Sequence, residues 1–298
     1  MNSEDLPTAL RRPGVWFFTD GLAAAQAAEF AERIETLGYS ALWLPETVGR
    51  DPFAHIAHLG NHTSSLLFAT GIANIFHRHP GVMKQAANTL AEQTDGRFLL
   101  GLGVSHAPLV EGLRKLDYSR PRSQMRHYLE AMDASPYRGP RPAEPPPRLL
   151  GALGPRMLEL AGELGDGAHP YFTTPEHTAR ARQTLGPDKL LCVEQKVVLD
   201  TDADRARQTA NTAIDLYAGL PNYRNNWIRL GFDDDVIERR EDHFVDAVVA
   251  WGDEQALRER VQAHYDAGAT HVCIQPLGAQ ARGDVEWRVL EALAPAGA

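Results

Sequence analysis

The sequence predicts an α/β fold of the (β/α)8 barrel type, on three observations. Short apolar runs of strand character alternate with helical segments. Many helices end at a glycine a few residues before the next strand, as in Leu37-Gly38-Tyr39-Ser40-Ala41-Leu42-Trp43-Leu44 and Ala267-Gly268-Ala269-Thr270-His271-Val272-Cys273-Ile274, where the glycine closes the helix in a left-handed cap. Strand candidates number eight, and a closed barrel of eight leaves no free edges, unlike an open sheet.

In chain order the expected strands are 14–18, 41–44, 66–72, 98–103, 148–152, 167–171, 190–199 and 271–276. The helices between them carry one apolar face at helical spacing: Ala27, Ala31, Ile34 and Leu37; Met83, Ala86, Ala87 and Leu90; Met157, Leu160, Ala161 and Leu164; Leu257, Val261 and Tyr265. Two stretches break the rhythm. Residues 136–147 hold six of the 20 prolines and read as an extended spacer before the fifth strand. Residues 221–244 read as an insertion after the seventh strand and its helix, with a lid, a subunit contact and a solvated surface helix as the open alternatives. Residues 1–12 are expected to be an N-terminal extension and 13–298 a single barrel domain.

Composition limits the function classes. Apolar residues at 43% and charged residues at 23% fit a globular chain with a sizeable core. A net charge of -9 opposes nucleic acid and anionic lipid as partners. No run approaches the roughly 20 apolar residues of a membrane span, and the polar start lacks a signal core, so the expected setting is cytoplasmic. Cys192 and Cys273 sit in β-branched apolar runs, as buried unpaired thiols do.

Barrel chemistry sits at the C-terminal ends of the strands, which directs attention to Glu46-Thr47, Asn74, His77-Arg78-His79, Ser105-His106 and Leu153-Gly154-Pro155-Arg156. Pro155 suits the first position of a helix, whose free amides and dipole would form an anion site; an ordinary tight turn fits the same residues. Gly101-Leu102-Gly103 lacks the third glycine and the acidic partner of a dinucleotide loop. His55, His58 and His62 lie at helical spacing without HExxH or a completing acid, so no metal site is expected. Between residues 112 and 127, Arg114, Lys115, Arg120, Arg122 and Arg126 face a single acid, Asp117, either as a solvated surface or as a receiver for an anionic tail.

The tract Ala69-Thr70-Gly71-Ile72-Ala73-Asn74-Ile75-Phe76-His77-Arg78-His79-Pro80, continued through Leu90 to Val104, resembles the bacterial luciferase-like family, and most of all its deazaflavin (coenzyme F420)-dependent oxidoreductases. The resemblance runs from about Pro13 onward. It implies a barrel with an insertion and a non-prolyl cis peptide at Gly71-Ile72 that holds the ring of the cofactor bent. It implies cofactor contacts from Glu46, Gly71, Ile72, Asn74, Gly103 and Ser105, and a phosphate turn at Ala152, Leu153, Gly154 and Pro155. Several relatives follow the acid with a histidine that moves a proton; here Thr47 stands in that place, leaving Glu46 and His77, with His79 or His106, as substitutes for the base.

The resulting expectation is hydride transfer between coenzyme F420 and a small organic substrate, in a homodimer. Two alternatives accompany it: an FMN-dependent monooxygenase or reductase on the same barrel, and a barrel that binds a ligand without turnover. Tyr171, Tyr223 and Trp227 are candidates to shape the substrate pocket.

Overall fold

The computed structural model describes residues 5–295 apart from 280 and 282. The outermost residues of the expected extension (1–4) and of the barrel domain (296–298) lie outside the described residues. Ten strands form one parallel sheet: β1 (Gly14–Trp16), β2 (Ala41–Leu44), β3 (Leu67–Thr70), β4 (Ala73–Asn74), β5 (Phe98–Gly103), β6 (Arg148–Leu150), β7 (Gly167–Ala168), β8 (Leu190–Leu199), β9 (Val249–Gly252) and β10 (His271–Pro276). Because β10 pairs with both β1 and β8, the sheet closes on itself as a barrel.

The eight barrel positions are those expected from the sequence. The third is split into β3 and β4 by a cis peptide bond at Gly71–Ile72. β9 is an addition: it pairs with Lys196 to Leu199 at the far end of β8, where the two-residue β7 no longer reaches. It follows the helix Asp242–Val248 without a glycine or proline between them. That missing punctuation is why periodicity merges the strand with the helix before it.

Alternation along each strand divides the core. In β2, Leu42 and Leu44 face the helices, while Ala41 and Trp43 fill the barrel with Trp16, Leu67, Leu99, Leu149, Cys192 and Cys273. Both cysteines are buried free thiols. The interior is stacked along its axis: the helix Asp5–Leu10 presents Leu10 to His271, whose Nε2 accepts from Trp43 at 3.0 Å, and Trp43 stacks on His169 at 4.3 Å. On the helix layer, Ala27, Ala31 and Ile34 are buried from the helix Ala24–Thr36, and Met83, Ala87 and Leu90 from the helix Pro80–Gln93.

Beyond β8 come the helices Ala203–Ala218, Pro221–Leu230, Asp234–Arg239 and Asp242–Val248. Of the three alternatives for this insertion, its first part acts as a cover over the barrel mouth. Trp227 is fully buried and donates from Nε1 to the Phe172 carbonyl at 3.2 Å, and Tyr223 packs beside it. Ion pairs of Arg224 with Asp234 and Glu238 tie the second part to the first.

Candidate active site

Two concavities stand out. One lies between Lys84, Gly96, Phe98, Arg148, Asp166 and Leu190, at the N-terminal ends of β5, β6 and β8, the end that serves stability in this architecture. The other, a cavity of about 160 Å³, opens at the C-terminal ends of the strands. Trp16 ends β1 and Phe18 follows it, Pro45 to Thr47 follow β2, and Gly71 and Ile72 break the third strand. Gly103 ends β5 and Val104 to His106 follow it, Gly151 to Leu153 follow β6, and His169 and Tyr171 follow β7; Tyr217 from the helix Ala203–Ala218 and Asn222 and Tyr223 from the insertion close it.

The broken strand is accommodated by glycines. A Cβ on Gly103 would stand 2.5 Å from Ile72 Cδ1, and one on Gly151 3.2 Å from Ile72 Cγ2, so the Ile72 side chain rests on two bare backbone positions. Gly71 is equally confined: its missing Cβ would meet Trp16 Nε1 at 2.6 Å and His169 Nε2 at 3.1 Å, and its carbonyl accepts from Trp16 Nε1. At Gly103 and Gly151 the missing side chains thus relieve crowding around Ile72.

Glu46 lines the cavity but is already engaged. Oε2 accepts from the Asn74 amide at 2.7 Å and Oε1 from Arg78 Nη1 at 2.5 Å, and Arg78 also reaches Asp51. His77 stands behind this group, with Nδ1 3.4 Å from Glu46 Oε1 and Nε2 3.2 Å from Asn74 Nδ2. Neither His77 nor Asn74 lines the cavity; both hold Glu46. His79 caps the helix Pro80–Gln93 by accepting from Gly81, which removes it from the candidates for a base.

Two histidines do face the cavity. His106 follows β5 and has Nδ1 buried without a protein partner; burial pulls its pKa down, against a hydrogen bond with Asn222. His169 follows β7. Its Nδ1 donates to the Cys192 carbonyl at 2.8 Å, so Nε2 carries the lone pair, and that atom has no partner. Burial lowers its pKa to about 4, which keeps the ring neutral. The strand-end rule singles out His169 once β7 is seen to stop at Ala168; reading the strand on to Tyr171 hid it.

The turn after β6 is built as the sequence suggested. Ala152 and Leu153 line the cavity, Gly154 is the N-cap and Pro155 the first residue of the helix Pro155–Leu164. Around it lie polar groups without partners: His177 donates from Nε2 to the Leu153 carbonyl and leaves Nδ1 bare, and Asn226 Nδ2 is likewise buried and unmatched. The Arg229 guanidinium sits 3.5 Å from where a Cβ on Gly154 would be, and burial lowers its pKa. The unmatched Asn226 amide and the Arg229 guanidinium beside a helix start fit an anion, whereas His177 Nδ1, with the ring proton on Nε2, is an acceptor. Trp227, expected in the pocket wall, lies behind it. Among the described residues no three His, Cys, Asp or Glu side chains converge as metal ligands. His55 is buried against Arg50, and His58 and His62 contact Ala24 and Glu32.

A closed parallel barrel with a split third strand, and with a helix start and unmatched imidazoles at its open end, defines an enzyme of the barrel class. The chain belongs to the luciferase-like monooxygenase family, whose pattern matches residues 9–271. It is similar to a Mycobacterium tuberculosis protein provisionally named a coenzyme F420-dependent oxidoreductase, 25% identical over 83% of this chain and 89% of that one. It is also similar to the F420-dependent hydroxymycolic acid dehydrogenase of the same organism, 33% identical over 51% of this chain and 49% of the relative. Among solved structures, the coenzyme F420-dependent tetrahydromethanopterin reductase of Methanopyrus kandleri superposes with a TM-score of 0.75 at 17% identity, covering 95% and 97% of the two chains. That likeness shows the fold.

Proposed function

We propose that the protein is an F420-dependent oxidoreductase that moves a hydride between the deazaflavin and a small organic substrate. The observation that carries this reading is the pairing of the Gly71–Ile72 step, seated on Gly103 and Gly151, with cavity-lining Ala152 and Leu153, which lead directly into the helix start at Gly154 and Pro155. A flat ring with a phosphate-bearing side chain needs both. The names of the relatives point to the deazaflavin rather than to FMN.

The residues present fit such a group. Ile72, Gly103, Ser105 and Ala152 offer apolar wall and backbone for the ring, Glu46 borders it, and Gly154, Pro155 and Arg229 offer a place for phosphate. When bound, the deazaflavin supplies the hydride chemistry. The chain's own residues orient it, exclude water through the cover formed by Asn222 and Tyr223, and receive the substrate's polar atom. With Thr47 beside Glu46, and Glu46 held by Arg78 and Asn74, the proton acceptors that face the cavity are His106 and His169. The exposed Arg114, Lys115 and Arg120 would receive an acidic tail of the cofactor. The reading includes a homodimer in a cytoplasmic setting, with residues 13–298 as one domain and 1–12 as its extension.

Titration of the purified protein with F420 and with FMN, followed by cofactor fluorescence at low and high salt, tests it. Tighter binding of F420, weakened by salt, is expected; equal or tighter binding of FMN overturns it.

A further inference from the structure

Beneath the cavity wall runs a hydrogen-bonded chain that no part of the cofactor reading uses. Lys196, from β8, is fully buried. Its Nζ lies 3.1 Å from Glu194 Oε1 and 3.1 Å from Gln275 Oε1, and 3.7 and 4.0 Å from the ring centres of Tyr171 and Phe172. Glu194 uses its second oxygen to accept from the Phe172 amide at 2.8 Å. Gln275 Oε1 also lies 2.8 Å from the Tyr171 hydroxyl, which in turn lies 2.9 Å from the Tyr217 hydroxyl. Tyr171 and Tyr217 both line the cavity.

The polarity of this chain is determined. An ammonium group only donates, so it is the oxygen of the Gln275 amide that faces Lys196. That oxygen only accepts, so Tyr171 spends its single proton on it. The contact between the two phenols then has one available proton, that of Tyr217, which is given to Tyr171. Tyr217 has nothing left to donate, and what it offers to a ligand is a lone pair. A primary amide in the middle of the chain also blocks proton passage, so the arrangement recognises rather than relays. The bare Nε2 of His169 is a second acceptor on the same wall.

We propose that Tyr217, oriented by Tyr171, Gln275 and Lys196, is a specificity residue that accepts a hydrogen bond from a hydroxyl of the substrate, so that the site prefers an alcohol over the corresponding carbonyl compound. A carbonyl oxygen could use Tyr217 only by taking its proton away from Tyr171. The proposal deepens the oxidoreductase reading by naming the substrate class, and rests on it for the meaning of the cavity.

The test compares 1-phenylethanol with acetophenone, binding followed by tryptophan fluorescence, with and without saturating F420. The wild-type protein is expected to bind the alcohol more tightly. Tyr217→Phe should weaken the alcohol roughly 3- to 10-fold and move the ketone by less than about twofold. Tyr171→Phe releases the proton of Tyr217 and should raise ketone affinity several-fold, which keeps the proposal testable if Tyr217→Phe does not fold. Wild-type preference for the ketone, or equal weakening of both compounds by Tyr217→Phe, overturns it. Failure of F420 to bind would sink the cofactor reading while leaving the alcohol and ketone comparison readable in the cofactor-free protein.

Discussion

The backbone carbonyl of Thr70 stands 1.8 Å from the place a Cβ on Gly101 would take, and the Thr70 hydroxyl donates to the Gly101 carbonyl at 2.7 Å. Two strands thus meet with no room for a methyl group, and the atom in the way is backbone. Gly101→Ala is expected to lower stability by roughly 3 kcal/mol. At Gly103 the obstacle is the Ile72 side chain, Cδ1 and Cγ1 both at 2.5 Å, rather than backbone, so Gly103→Ala should cost less, about 2 kcal/mol, while pushing Ile72 into the cavity and weakening F420 roughly tenfold. Thermal melts and cofactor titrations separate the two; similar melting losses would contradict this assignment.

Glu46 and Arg78 form a nearly buried ion pair, whereas Asp51, the other partner of Arg78, is half exposed. Glu46→Gln should therefore destabilise by about 2 kcal/mol and reduce cofactor affinity, and Asp51→Asn should cost no more than about 1 kcal/mol. A larger loss from Asp51→Asn in urea unfolding would show that the pair is not anchored at Glu46.

Acid sensitivity follows from the buried imidazoles. Burial lowers the pKa of His169, His177 and His271 to about 4 and of His264 to about 3. In the unfolded chain the same rings take up protons below about pH 6.5. The unfolded state then binds more protons than the folded one, so the stability these rings permit is complete above about 6.5 and is lost as pH falls toward 4. Each ring adds up to about 1.4 kcal/mol per pH unit over that window. Urea midpoints measured from pH 7 to pH 5 should fall steadily, and a flat profile would mean that these rings do not stay neutral in the folded protein.

On the F420 reading, the basic segment and the helix start at Gly154 would serve different parts of the cofactor. Arg126 is committed to Glu163, and the exposed Arg122 donates to the Arg156 carbonyl, whereas Arg114, Lys115 and Arg120 are exposed cations without a side-chain hydrogen bond among the described residues. Replacing those three with Ser should weaken F420 by roughly tenfold at low salt, with the loss vanishing at high salt, and leave FMN unchanged. Arg229→Gln should weaken both, since both carry a phosphate. Loss of FMN binding in the triple variant, or of neither cofactor in Arg229→Gln, would refute this division.

Much of the fold could be read from the chain because its signals are local. A helix ended by Gly38 or Gly268 and followed by an apolar run is visible within ten residues. β9 escaped because Val248 and Val249 carry no break between helix and strand. In the site, strand ends named Glu46 and Ser105, and the family resemblance added Gly71, Ile72 and Gly103, all of which line the cavity; strand ends also named Asn74 and His77, which stand behind Glu46. Position along a strand selects the end of the barrel, whereas the direction of a side chain depends on where the strand breaks. Tyr217 and Asn222 gave no signal, since Tyr217 comes from the helix Ala203–Ala218 and Asn222 from an insertion whose placement over the mouth depends on the burial of Trp227 against Phe172.

Amino-acid order alone determined the barrel, the number of its closing strands and the helix start at Pro155, because each is written in short-range periodicity or in a residue type with one conformational use. Only the tertiary structure decided which polar atoms are spoken for. Arg78 saturates Glu46, the Cys192 carbonyl takes the proton of His169, and Lys196 sets the direction of the Tyr171 and Tyr217 hydroxyls. Those partners are up to 104 residues apart in the chain, as Tyr171 and Gln275 are, and a hydrogen bond has a donor and an acceptor only once folding has brought both within 3 Å or so of each other.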